Sequence, residues 1–242
     1  MKPVGLQLYT LRKPFAEDPV GTLERIRTTG YDEVEFAAPL DMDVAPLAAR
    51  MREIGLDCPS VHVGLPDLND RPDRVLEVAR SLGCRFIVLP FVDPNTADWR
   101  AVVAQAQAFA RRAAGEGFRF CYHHHHFEFD ASRGYRPFDV LVGESDPSLL
   151  FFELDVYWLK TGGEDPAAML RNLAGRVKLL HLKDAAPDGS MTDVGAGVLD
   201  FPALVAAGRA AGVEHFFVEH DVPPKPYWPS VEASLGYLRG LA

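Results

Sequence analysis

Short apolar runs alternate along the chain with longer stretches in which apolar side chains recur every three or four residues. The runs at residues 4–9, 32–36, 58–63, 85–90, 149–155, 176–182 and 215–219, and the aromatic run from Phe118 into His123, read as strands. Helical spacing predicts helices over 18–29, 44–54, 72–82, 98–116, 137–143, 165–173, 201–211 and 231–238. Punctuation supports these limits. Gly30, Gly55, Gly83 and Gly212 stand just past helix ends, Pro72 opens a helix, and Asp165-Pro166 supplies an N-cap and a first-turn proline. Strands that are apolar throughout and alternate with helices imply a parallel sheet covered on both faces. About eight such units in 242 residues fit a closed (β/α)8 TIM barrel forming a single domain over 1–242. A doubly wound open sheet is the alternative. It is disfavoured because no glycine-rich phosphate loop follows the first strand.

Composition narrows the function classes. The chain is 48% hydrophobic and 24% charged, which is ordinary for a globular domain. Its formal charge of -9 disfavours a sequence-independent nucleic-acid binder. Three cysteines, Cys58, Cys84 and Cys121, lie in or beside strands without metal-type spacing, and read as reduced core thiols of a cytoplasmic protein. The beginning of the sequence has no signal-peptide pattern, and no apolar run approaches a membrane span.

The candidate chemistry lies where the strands end. In a barrel of this kind the site forms at the C-terminal strand ends. Those ends carry Tyr9, Glu35, His62, His123 with His125, Asp155, His181 with Lys183, and Glu219. Each has a structural alternative. Asp155 could cap the next turn, His181 could be a satisfied core histidine, Lys183-Asp184 could be a solvated turn pair, and Glu219 could sit in a salt bridge. Together they form the mixed oxygen and imidazole set that divalent ions prefer. A fourth ligand is expected from the histidine strand. Glu153 shares the inward parity of Asp155 and is expected one layer down, paired with a lysine. In the tetrad 123–126, alternation points His123 and His125 together and leaves His124 and His126 to packing or the surface. Tyr9, Phe91 and Trp158 are candidates for an apolar wall against a sugar, or simply core aromatics.

Several phrases carry a resemblance. Leu154-Asp-Val-Tyr-Trp158, His181-Leu-Lys-Asp184, the segment from Asp193 to Phe201, Val218-Glu-His-Asp221 and the Tyr122–Phe129 phrase resemble the sugar phosphate isomerase/epimerase family of the xylose isomerase-like TIM-barrel superfamily. The resemblance runs through nearly the whole chain. It implies a divalent ion (manganese, magnesium, cobalt or zinc) held by Asp155, His181 and Glu219. At the fifth-strand position, many relatives have glutamate and this chain has His123; Glu128 would serve only if its loop folds back. It further implies isomerisation or epimerisation of a sugar or keto-sugar through an enediolate. Glu219 or a histidine such as His62 or His123 would remove the proton, Lys183 would stabilise the enediolate, and His125 would be a second contact. Losing one of the relatives' two glutamates puts their paired acid–base mechanism in doubt. Dehydration on the same site, a metal-dependent DNA nuclease and a non-catalytic sugar-binding subunit are the alternatives. A small carbohydrate, with no nucleic acid or membrane, is the expected partner, and homo-oligomerisation is left open.

Overall fold

The computed structural model describes residues 3–37 and 39–241. Eight parallel strands close into a barrel: β1 (Gly5–Gln7), β2 (Glu33–Phe36), β3 (Asp57–His62), β4 (Phe86–Leu89), β5 (Arg119–His123), β6 (Leu150–Asp155), β7 (Val177–Leu182) and, after the two-stranded hairpin β8 (Asp184–Ala185) and β9 (Met191–Thr192), β10 (His215–Val218). β10 pairs with β1 in register Gly5↔Phe217, which closes the sheet. No helix among the described residues is long and apolar enough to cross a membrane. The three cysteines are buried and unbridged.

Every strand predicted from the apolar runs is present, trimmed by one or two residues at its ends. The largest departure is β1, which stops at Gln7 rather than Tyr9. The Gln7 side chain accepts a hydrogen bond from the Tyr9 backbone N–H at 3.0 Å and starts a 3-10 turn over Leu8–Leu11. Tyr9 is thereby turned out of the strand and left 45% exposed. Short helices at Arg12–Glu17, Leu65–Asp70 and Val156–Thr161, and the hairpin β8–β9, had no sequence signal long enough to detect.

Strand alternation sorts the barrel interior into layers. Glu33 and His215 pair at the N-terminal end, with His215 Nδ1 2.8 Å from Glu33 Oε2. Above them Phe86, Val88, Cys121, Leu179 and Phe217 form a separate apolar plug. One step further up the interior turns polar. Gln7, Glu35, Ser60 and Glu153 are all fully buried there. The helices cover the outside of the barrel and build the main core around it.

Gly5 makes the plug possible. A Cβ at this position would overlap the Phe217 ring directly. Overpacking of this kind costs about 1–3 kcal/mol. Gly5→Ala is therefore expected to lower the melting temperature by roughly 2–10 °C at this chain length. Thermal unfolding followed by circular dichroism checks this, and an unchanged midpoint would refute the close approach.

Candidate metal centre and substrate cavity

Side chains from the ends of β5, β6, β7 and β10 meet at one point. One ligand atom each from His123, Asp155, His181 and Glu219 lie within 4.8 Å of one another, all from buried residues. These four are the residues drawn from the strand ends and the family resemblance as ion ligands. The donor set fits a divalent cation on an observation independent of that resemblance. His123 Nδ1, Asp155 Oδ2, His181 Nδ1 and Glu219 Oε2 are buried and make no hydrogen bond among the described residues. Lys183 Nζ offsets part of this from one side, at 3.1 Å from Asp155 Oδ2 and 2.8 Å from Glu219 Oε2, and four converging donor atoms of this kind could share a divalent cation.

Each ligand has a distinct support. Asp155 caps the next turn, as one reading of it expects, and also faces the centre. Its Oδ1 caps the helix Val156–Thr161, accepting from Tyr157 N at 2.9 Å and Trp158 N at 3.0 Å, while Oδ2 faces the centre. His181 Nε2 lies 2.7 Å from Glu35 Oε2 and 3.2 Å from Glu153 Oε1. Nε2–H donates to Glu35, and Nδ1 faces the centre 2.8 Å from Glu219 Oε2. Burial opposes its charge but the surrounding carboxylates favour the cationic ring, so an ion held here would replace the Nδ1 proton. Glu219 Oε2 lies 2.8 Å from Lys183 Nζ. Burial alone would raise the Glu219 carboxyl, but Lys183 and His181 hold it well below the usual carboxylate range.

Lys183 and Asp184 are not a solvated pair; both are buried. Lys183 Nζ stands 3.1 Å from Asp155 Oδ2 and 2.9 Å from Asp221 Oδ1, so it contacts the centre directly. Burial opposes its charge, yet the three carboxylates around it raise its pKa well above the ordinary value. Asp184 points the other way. Its carboxylate accepts from the backbone N–H groups of Ala185, Gly195, Gly197 and Leu199 at 2.8, 3.0, 2.9 and 3.1 Å, and so organises the segment that follows β9.

Glu153 is one layer down, as parity requires, but its partner is not a lysine. It pairs with His62, whose Nε2 is 2.8 Å from Glu153 Oε2 and 3.1 Å from Glu35 Oε2. Lys183 reaches the centre above and Lys178 turns to Glu214 at 3.8 Å, and imidazoles supply the charge in this layer instead. Burial would lower the His62 pKa, but the two carboxylates override it and push it to about 9. His62 is thus a proton donor at neutral pH. His123 is the reverse, held neutral by burial and by the cationic His181 beside it.

The histidine tetrad divides its work. His125 turns towards the same space as His123, their ring centroids 5.0 Å apart. His126 is exposed. His124 was assigned to packing or surface, but it is fully buried and bonded at both nitrogens. Its Nδ1 is 3.0 Å from the His125 carbonyl, and its Nε2 accepts from the Asp155 backbone N–H at 3.1 Å. It therefore ties the β5 loop to a ligand-bearing strand end. Burial pushes its pKa down to about 3, so it stays uncharged in this role. Glu128 does not reach the centre. It is buried under the loop, accepting from Tyr122 Oη and His125 N, both at 2.8 Å.

Above the centre opens a cavity of about 540 Å³. His62, His123, His125, Lys183, Glu219 and Asp221 supply its polar floor, and Tyr9, Ala37, Pro90 and Phe91 its apolar wall. Trp158 stands behind, its ring centroid 5.5 Å from that of His125 and tilted by 46°.

An eight-stranded parallel barrel with imidazole and carboxylate groups gathered at the C-terminal rim defines a TIM barrel whose strand ends could hold a metal ion. Residues 23–240 match one family within it, and the chain belongs to the xylose isomerase-like TIM barrel family. It is 23% identical over 238 residues to the L-ribulose 3-epimerase of Mesorhizobium japonicum, covering 88% of this chain and 78% of that protein. It is 29% identical over 128 residues to an inosose dehydratase of Clostridium beijerinckii, covering 46% of this chain and 42% of that one. In structure it is similar to a sugar phosphate isomerase/epimerase from Parabacteroides distasonis, with a TM-score of 0.86 at 23% identity over 98% of this chain and 93% of the other.

Two measurements separate His123 from Glu128. After dialysis against a weak chelator, metal analysis is expected to show at least tenfold weaker ion retention in His123→Ala and unchanged retention in Glu128→Gln. Glu128 instead affects stability. Burial pushes its carboxyl up to about 7 from 4.5, so the folded state holds this proton more tightly than the unfolded chain. Its contribution is present below pH 4.5 and is lost as pH rises to about 7, by up to about 3 kcal/mol. Urea unfolding at several pH values is expected to show that part of the slope removed in Glu128→Gln.

Proposed function

We propose that this protein is a sugar-modifying enzyme that abstracts a proton next to the carbonyl of a sugar or keto-sugar, and that isomerisation or epimerisation is the outcome. The observation that carries this reading is the convergence of four buried ligand atoms on the floor of a cavity of monosaccharide scale. Such a donor set suits manganese, magnesium, cobalt or zinc. When bound, the ion would supply Lewis-acid polarisation of the carbonyl and a fixed point for adjacent hydroxyls.

The chain's own groups do the remaining work. Glu219 is ionised and at the cavity floor, and takes the proton. Lys183, fixed between Asp155, Glu219 and Asp221, donates to the oxygen on which negative charge develops. His62, charged and reaching the cavity from β3, returns a proton. His125, neutral and against Phe91 and Trp158, orients a hydroxyl. Tyr9 and Phe91 cover the apolar face of the substrate and limit water access.

A second outcome has specific support. With His123 in place of a fifth-strand carboxylate, Glu219 is the one carboxylate among the four ligands that lines the cavity. Elimination of a β-hydroxyl needs one base and one acid, rather than two bases on opposite faces. The resemblance to inosose dehydratases is consistent with that lyase reading.

Exchange of solvent deuterium into a panel of ketoses and keto-inositols, with metal supplied, tests both. Mass spectrometry distinguishes incorporation without mass loss from loss of water. Glu219→Gln is expected to lower the exchange rate by about 10³-fold or more and Lys183→Met by about 10²-fold. No exchange with any substrate, together with an Asp155→Asn protein indistinguishable from wild type, would remove the proposal.

A further inference from the structure

Beside the main cavity lies a smaller one of about 150 Å³, lined by Thr10, Arg12, Lys13, Val222, Pro223, Lys225 and Tyr227. It is built from the segment after β1 and the segment after β10. Three of its lining residues are cations and none is a carboxylate. That is a marked local reversal in a chain of net charge -9. Lys13 and Lys225 form no ion pair with a carboxylate among the described residues, whereas Arg50, Arg71, Arg80, Arg100 and Arg112 elsewhere in the chain each do.

The two cavities share a wall. Arg12 lies over the Tyr9 ring at 4.1 Å, and Tyr9 lines the main cavity. Arg12 also donates from Nη1 to the Tyr9 carbonyl and from Nη2 to the Asp221 carbonyl, both at 2.8 Å. Asp221 in turn holds Lys183 at the centre. The guanidinium is thus pinned in orientation by backbone carbonyls, which are neutral and leave its charge and further N–H donors uncompensated. A cation fixed by carbonyls rather than by a carboxylate is preorganised for an oxyanion. Val222, Pro223 and Tyr227 give the cavity an apolar side, which strengthens charge contacts by excluding part of the water.

We infer that Arg12, Lys13 and Lys225 form a subsite for a terminal oxyanion, a phosphate or a carboxylate, carried on the far end of the molecule whose carbonyl end occupies the main cavity. The identity of that molecule as a sugar derivative rests on the proposed function; the anion subsite does not. The shared wall makes the subsite a selector of substrate. A neutral sugar fills only the main cavity, whereas an acidic derivative spans both.

The direct probe is inorganic phosphate, with acetate as the carboxylate arm, titrated calorimetrically into wild type, Lys13→Ala/Lys225→Ala and a control, Lys160→Ala. Lys160 is an exposed lysine outside both cavities. Both lysines are surface residues, so the double variant is expected to fold. Arg12→Ala is a secondary variant because it also removes two backbone contacts. Phosphate affinity is expected to fall about tenfold per cation removed and to be unchanged in the control. Raising salt from 50 to 200 mM is expected to weaken binding to wild type more than to the double variant. A response to phosphate alone assigns a phosphate ester, and a response to acetate assigns a sugar acid. In steady-state assays, KM for a ketose phosphate or keto-acid is expected to rise in the double variant, with kcat and the KM for the neutral ketose unchanged.

The inference is overturned if wild type binds neither anion at tens of millimolar, or if the double variant binds as the control does. If no sugar is turned over at all, the proposed function fails while calorimetry still decides the subsite.

Discussion

Four carboxylates in the upper half of a closed barrel have to be neutralised where water cannot reach them. Glu35, Glu153 and Asp155 are fully buried and Glu219 nearly so. An isolated ionised carboxylate at such depth costs several kcal/mol even after relaxation. The side chains facing them are therefore cationic or able to become so: His62, His181 and Lys183. Coulombic attraction within this group keeps Glu35 and Glu219 ionised and raises the pKa values of His62, His181 and Lys183 against their burial. What is left over is directional. Donor atoms of His123, Asp155, His181 and Glu219 are brought within 4.8 Å of one another at the floor of the cavity.

Positioning within this group comes from side-chain to backbone bonds as much as from the strands. Gln7 ends β1 and sends Tyr9 to the rim. Asp155 starts a helix with one oxygen and keeps the other for the centre. His124 holds the Asp155 backbone from the neighbouring strand. Asp184 gathers four N–H groups and orders the chain beside the centre. These bonds tie the strand ends to one another and orient the side chains that meet at the centre.

Much of this was legible in the sequence, for identifiable reasons. The barrel could be read because its strands are apolar on both faces and its helices end in glycine. The candidate set His123, Asp155, His181 and Glu219 came from the strand-end rule for barrels together with the family resemblance, which supplied His123. Several features were not accessible this way. Tyr9 read as a strand residue because nothing local reveals that Gln7 will cap a turn. His124 read as packing because alternation says which way a ring points, not that its far nitrogen meets a backbone amide 31 positions away. The lysine partner expected for Glu153 has no counterpart, because the buried layer uses the imidazoles of His62 and His181. The basic cavity joins two distant segments, residues 10–13 and 222–227, and has no signature in either alone.

His123 differs from the other three ligands in one respect. Asp155 caps a helix, His181 is braced by Glu35, and Glu219 is an anchor of Lys183. His123 makes no hydrogen bond among the described residues, and its ring is placed by β5 and by packing against its neighbours. Replacement at the other three positions carries a structural loss along with a chemical change. At position 123 the constraint is electrostatic: Nδ1 lies 3.7 Å from Glu153 Oε2, so a neutral imidazole fits where a carboxylate would add a fifth buried anion to the four already there. The fifth strand thus sets the charge of the cluster rather than its shape.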